Sequence, residues 1–310
     1  MALPLTLLSL AARTGNDAVI GLIEDVVTYS PEFAKFPVRT VPGVTYKVGR
    51  RTSLPSSGFR NVNEGVGASA SVYVQEIKQL YFMDGQLQVD EAIVKADDRS
   101  VGDVLADEGA GELESTILAI GSQTYYGTAA GTKGFAGLST QINDDSVFAG
   151  GTSNTCSAYL LDLSYRGVHF VLGNNGGLIL PPWIKQQVRD ANLNPYMAYV
   201  TNLSAYLGLA VNSAYSVWRV RGIDTTHALT DALGAKAYEH VPVSRRQSSN
   251  LRWLMNPLAI RTLQVSRSAV GYQAAGAGGG GAFAPMPTEL CNVPIILTDS
   301  LTNTETTTAS

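Results

Sequence analysis

The sequence is short of charge, cysteine and histidine. Only 15% of its 310 residues are Asp, Glu, Lys or Arg, against roughly 25% in a typical soluble domain. A weakly charged chain that also holds 31 glycines suggests a surface covered by other chains. The 22 basic and 26 acidic residues leave a net charge of −4, which argues against a nucleic-acid binder working through a basic face. The two cysteines, Cys156 and Cys291, lie far apart and form no CxxC spacing. Two reduced, structural thiols are therefore expected, not a metal or redox pair. No apolar run approaches the roughly 20 residues needed to cross a membrane. The opening MALPLTLLSLAART lacks a basic n-region and contains Pro4, so it reads as an apolar arm and not as a signal peptide.

Catalytic signatures are missing as well. The three histidines, His169, His227 and His240, stand at no metal-ligand spacing, and His169, inside an apolar run, reads as structural. There is no G-x-S-x-G elbow and no phosphate-binding P-loop. Gly276, Gly278 and Gly281 fit G-x-G-x-x-G, but no clear strand leads into them and Pro285 and Pro287 follow where a helix should open. The adjacent acids Asp97-Asp98 and Asp144-Asp145 read as solvated loop ends. Arg219 and Arg221 alternate along one edge and would either hold acids across an interface or solvate that edge. No catalytic, cofactor-binding or metal-binding residues are expected.

What is present is organised around residues 100–126. Ser100 is a helix cap, with Asp103 three residues on as a carboxylate variant of the capping box. Val101, Leu105, Leu113, Ile117 and Ile120 fall on one stripe at helical spacing, with Asp103, Asp107 and Glu114 opposite. Gly109 and Gly111 mark either a local break or a close crossing of another backbone. Before this helix the chain looks like arms. Gly15-Asn16-Asp17 opens a short amphipathic helix that Ser30-Pro31 stops. Two extended runs, residues 38–48 and 69–83, flank a Gly/Ser/Pro/Asn-rich tip. They read as a long hairpin, which is marginal alone in water and whose open edges invite another chain.

After the helix the texture is mixed. Short apolar strands, SAYLLDLSY, GVHFVL, GLIL, YMAYVT and AYLGLAV, follow one another between turns. A helix over 224–236 would be capped by Asp224 or Thr225. LRWLM reads as a buried strand, Asn256-Pro257 opens a helix with Pro257 at its first position, and VPIILTDSL is a last strand. There is no regular βαβ alternation, so the class is α+β.

This order of elements resembles the major capsid protein of tailed bacteriophages, a fold shared with encapsulins and the floor of herpesvirus capsids. The pieces that carry the resemblance most directly are RWLMNPLAIRTL (252–263) and NVPIILTDSLTNTE (292–305). The resemblance implies an N-terminal arm over 1–45, an extended β-hairpin loop over 46–84 and a peripheral domain with its spine helix over 85–150. It further implies an axial domain over 151–280, then a return strand and tail over 281–310. The spine-helix core would be Leu105, Leu113, Ile117 and Ile120. The inter-subunit loop would carry Arg50, Arg51, Phe59, Arg60, Glu64 and Lys78, with no cross-link assigned to Lys78. The axial core would hold Trp253, Met255 and Pro257. The implied function is a shell subunit that self-assembles as hexamers and pentamers into an icosahedral head around double-stranded DNA. Its implied partners are copies of itself, a scaffolding protein, a portal and decoration proteins; it would touch DNA only non-specifically inside the virion, with no cofactor and no membrane. Assembly would take place in the host cytoplasm. The alternatives are an encapsulin-type compartment or, from another class, a hydrolase with an unrecognised site.

Overall fold

The computed structural model describes residues 28–306 except 98, 129–132, 143–146, 175, 247 and 270–283. The expected N-terminal helix, Asp144-Asp145 and the Gly276–Gly281 run lie outside the described residues. The chain enters through a single helical turn, α1 (Glu32–Lys35), and a short strand, β1 (Val38–Thr40). A ribbon follows, β2 (Thr45–Ser53) and β3 (Val72–Gln79), then β4 (Tyr81–Asp90) and α2 (Glu91–Ala96). The long helix is α3 (Val101–Tyr126). Next come β5 (Val147–Phe148), β6 (Cys156–Asp162), β7 (Val168–Leu172), β8 (Ile184–Arg189) and β9 (Pro195–Val211). The rest comprises β10 (Val217–Ile223), α4 (Asp231–Glu239), α5 (Val243–Arg246), β11 (Leu251–Met255), α6 (Pro257–Ala269), β12 (Glu289–Leu290) and β13 (Val293–Leu297).

Apart from the β2–β3 ribbon, which pairs only with itself, two sheets divide these strands. In one, β9 is the backbone: it pairs antiparallel with β4 along Tyr81↔Leu207 to Asp90↔Ala198, with β7 near its end and with β8 near its start. What the sequence divides into two strands, YMAYVT and AYLGLAV, is one strand of 17 residues. The second sheet runs β12-β13-β11-β6-β10-β5. Its middle strand β6 is buried at every position. Tyr159 and Leu161 point into a core shared with α3 and the first sheet, whereas Ala158 and Leu160 point into a core covered by α4 and α6. The last strand, β13, lies parallel to β11. It thus joins the sheet of the 151–280 segment, while β9 of that segment joins β4. The two sheets exchange strands across the expected domain boundaries.

The helix α3 begins as its cap requires: Ser100 Oγ accepts from the Asp103 amide at 3.2 Å. It is unbroken through Gly109 and Gly111. The buried stripe, however, is not the expected one. Leu105 and Ile120 are buried, Ile117 is half-buried, and Leu113 is 39% exposed. The face turned inward sets Val104, Leu105, Ile120 and Tyr125 among four small residues, Gly109, Thr116, Gly121 and Thr124. They let the helix lie close to its neighbours, and this rotates the larger Leu113 and Val101 outward. The closest crossing is at Gly121, where a Cβ would collide with the Ser30 and Ser300 hydroxyls; at Gly109 it would press on the Leu180 side chain, and at Gly111 it would meet open space.

Two further expectations are corrected. The helix near 230 starts at Asp231, capped by Thr230 Oγ1, which accepts from the Leu233 amide at 3.2 Å. Asp224 instead closes a turn, accepting from the Thr226 and His227 amides at 2.7 and 2.6 Å. Pro257 does open α6, with Asn256 Oδ1 accepting from the Ala259 amide at 2.9 Å. That first helical position faces solvent, so Pro257 is exposed, whereas Trp253 and Met255 beside it are fully buried.

Candidate assembly surface

The ribbon is shorter than the two extended runs. Leu80 breaks the second run, so β3 pairs with β2 while β4 turns into the first sheet. Residues 38–40 likewise leave the ribbon and lie parallel to β7. The remaining two strands pair from Thr45↔Gln79 to Ser53↔Val72, with a bulge between Arg51 and Ser53. Tyr46, Leu80, Val41, Val171 and Ala210 form a small buried cluster at the root.

Beyond that root the ribbon has no core. Val72, Tyr73, Val74 and Ile77 are all at least half exposed, and in the tip Phe59 is fully exposed, with Leu54, Val62 and Val66 also open to solvent. Such a concentration of apolar side chains on a two-stranded element marks an interaction surface. The tip is held by local polar contacts. Arg60 Nη1 donates to the Glu64 carbonyl at 2.7 Å, and Glu64 Oε2 accepts from the Asn61 amide at 3.4 Å. Within the strands, Glu76 sits between Lys78 at 2.7 Å and Arg50 at 3.5 Å. Partial burial raises the Glu76 carboxyl, but the Lys78 and Arg50 cations outweigh it and hold it below the usual carboxylate range. Arg51 is exposed. Lys78 also reaches Gln141 Oε1 at 3.5 Å across a cleft of about 470 Å³ at the ribbon's root. Of the expected loop residues, Phe59, Arg60 and Glu64 thus lie together at the tip, and Arg50 and Lys78 share Glu76 nearer the base.

Two buried carboxylates fasten the ends of the described chain to the body, and neither was singled out in the sequence. Glu32 of α1 accepts from Tyr125 Oη at 2.8 Å, Ser30 Oγ at 2.7 Å and Ser300 Oγ at 3.3 Å, and also from Thr298. Burial, reinforced by the Glu32 carboxylate, pushes the Tyr125 hydroxyl far up. Near the other end, Glu305 accepts from Arg219 Nη2 at 2.8 Å and Tyr126 Oη at 2.7 Å, and also from Ser157. Arg219 therefore holds an acid of its own chain. The partners stand up to 270 residues apart, a separation that leaves no local pattern to find.

No cluster of three metal-ligating side chains is present among the described residues, and none of their helices is long and apolar enough to cross a membrane. His227 pairs with Asp224 at 3.0 Å on the surface, and His169 is buried elsewhere. The Cys156 thiol is buried and pushed up to about 12 by desolvation, with the Glu305 charge adding to it. That is the opposite of an activated nucleophile.

A long helix lying on interlocked sheets, with a ribbon projecting from one side, is the fold of tailed-phage capsid proteins. The cryo-EM structure of bacteriophage Epsilon15 contains a chain that superposes with a TM-score of 0.71 at 17% identity, covering 98% of this chain and 97% of that one. A chain of the bacteriophage JBD30 capsid gives 0.50 at 12% identity, covering 94% and 98%. The holo-SrpI encapsulin of Synechococcus elongatus is looser, at 0.48 with 10% identity, covering 72% and 97%. No curated protein matches the chain in sequence. A family model described as Major capsid protein GP7 matches residues 42–309, and the chain belongs to that family. It is a shell protein of a bacteriophage capsid.

Proposed function

We propose that copies of this chain assemble as hexamers and pentamers into the icosahedral head that encloses the double-stranded DNA of a tailed phage. The ribbon of each copy lies across a neighbour. Residues 46–84 serve as the inter-subunit loop, and the sheet built on β6 supplies the axial contacts. A scaffolding protein, a portal and decoration proteins complete the assembly in the host cytoplasm, and the chain has no catalytic role of its own. The observation that carries this reading is the ribbon: an element with a buried root, no core beyond it and a row of exposed apolar side chains. Ordering such an element costs backbone entropy, and a neighbouring subunit is the natural source of compensating burial. A head-to-tail contact of this type closes into rings.

Negative-stain microscopy of the expressed chain, alone and with its scaffolding protein, tests the proposal. Closed shells or capsomer rings are expected. Discrete monomers under all salt and scaffold conditions would contradict it.

A further inference from the structure

The ribbon leaves the body through one packed joint, and a histidine sits at its centre. His169 is on β7 and fully buried. Its ring meets Tyr46 of β2 edge-on, with centroids 5.6 Å apart, and Tyr165 of the turn before β7 at 5.7 Å. Tyr46 is the ribbon's own anchor. Its hydroxyl accepts from Asn212 Nδ2 at 3.4 Å, and the same amide donates to the Tyr165 carbonyl at 2.8 Å. The Arg39 guanidinium of β1 lies 5.5 Å from the centroid of the Tyr46 ring.

Every element around the imidazole is therefore accounted for. Arg39 faces it from β1, Tyr46 from β2 and Tyr165 from the turn; β9 places Ala210 opposite it, and the neutral Asn212 follows directly after β9. Among the described residues no carboxylate acts on the ring. Burial and the Arg39 cation push it down to about 4, and the Ser164 main chain, which favours the charged form, does not offset them.

We propose that His169 is an acid-sensitive joint that holds the ribbon docked while neutral and frees its root, ahead of the rest of the fold, when protonated. Protonation places a second cation beside Arg39 in a site with no counter-charge. Lifting Tyr46 away relieves the charged ring, and the ribbon it belongs to has few other buried contacts to hold it down. The sign follows from linkage. A free imidazole titrates near about 6.5, so between there and about 4 the open joint takes up a proton that the closed joint refuses. Lowering the pH through that window favours opening by roughly tenfold per pH unit and levels off below it. Only the consequence for assembly, a ribbon whose freedom depends on pH before it is seated on a neighbour, rests on the function proposed above.

Hydrogen exchange on the full, unassembled chain tests the joint. Protection is measured from pH 7 to 4.5, corrected for intrinsic rates, at amides 45–48 and 77–80, with β11 amides as the report on global opening. In the native chain, root protection should hold above about pH 6.5 and fall roughly tenfold per pH unit below it while β11 protection holds throughout. His169→Leu and His169→Gln, neither of which can take up the proton, should both show a flat profile at the root; if the Leu variant does not fold, the Gln variant decides. The same slope in the variants as in the native chain would overturn the proposal, as would parallel loss of protection in β11. Neither result depends on shells forming, so failure here is distinct from failure of the ribbon to bind a neighbour, which removal of the tip tests separately.

Discussion

The strands of the six-stranded sheet and the strands of the ribbon are stabilised on opposite terms. In β6 all seven residues are buried, and Trp253 beside it, on β11, has no exposed surface at all. In β3 no residue is buried, and Tyr73 is 68% exposed. The first is sandwiched between two cores and completes itself within one chain. The second makes its hydrogen bonds internally and leaves its apolar side chains exposed. On the function proposed above, one chain thus keeps two accounts of stability: that of the subunit, and that of the assembly.

The largest effect should come from the sheet. Trp253→Ala removes a fully buried indole whose Nε1 donates to the Leu290 carbonyl at 3.1 Å. The expected cost is about 3–5 kcal/mol, read as a collapsed melting temperature or insoluble protein, with assembly lost only because folding is lost. Glu32→Ala should rank next. It strands the hydroxyls of Tyr125 and Thr298, at a cost of about 1–3 kcal/mol, measured by urea unfolding of the subunit. Leu113→Asp places a charge at a site that is 39% exposed, so the subunit should lose only about 1–2 kcal/mol from apolar contact and helix propensity. A loss of several kcal/mol in the isolated subunit would mean that the helix buries the other face. Phe59→Ala should leave the melt unmoved, within about 0.5 kcal/mol, yet reduce shell yield on microscopy. If it lowered the melting temperature while shells formed normally, the ribbon would belong to the subunit's own account. The smallest effect is chemical. At pH 8 a thiol reagent should label Cys291 and spare Cys156, whose thiol is buried and pushed up to about 12; equal labelling of both would show that the sheet opens readily.

The features legible in the sequence were the local ones. Ser100 as a cap and the strand-Asn-Pro-helix at 251–257 follow from contacts a few residues long, and both have the expected geometry. The ribbon's exposed character followed from composition. The inward face of α3 was legible only in part: periodicity picks out Leu105 and Ile120, but Gly109, Thr116, Gly121 and Thr124 also line it, with Gly121 close against Ser30 and Ser300. Strand partners were not legible either. Whether VPIILTDSL returns to one sheet or the other depends on β11, some 40 residues earlier. The Glu32 and Glu305 anchors involve hydroxyls scattered over the whole chain, so no spacing reveals them.

The central claim is that the ribbon serves the assembly and not the subunit. Residues 54–70 can be removed and Ser53 joined to Ser71 by a two-residue turn, leaving the root cluster of Tyr46, Leu80 and Val41 intact. A melt and micrographs are then taken from one preparation. An unchanged melting temperature together with no closed shells, or with isolated capsomers only, is the expected result. Normal shells from a destabilised subunit would contradict it.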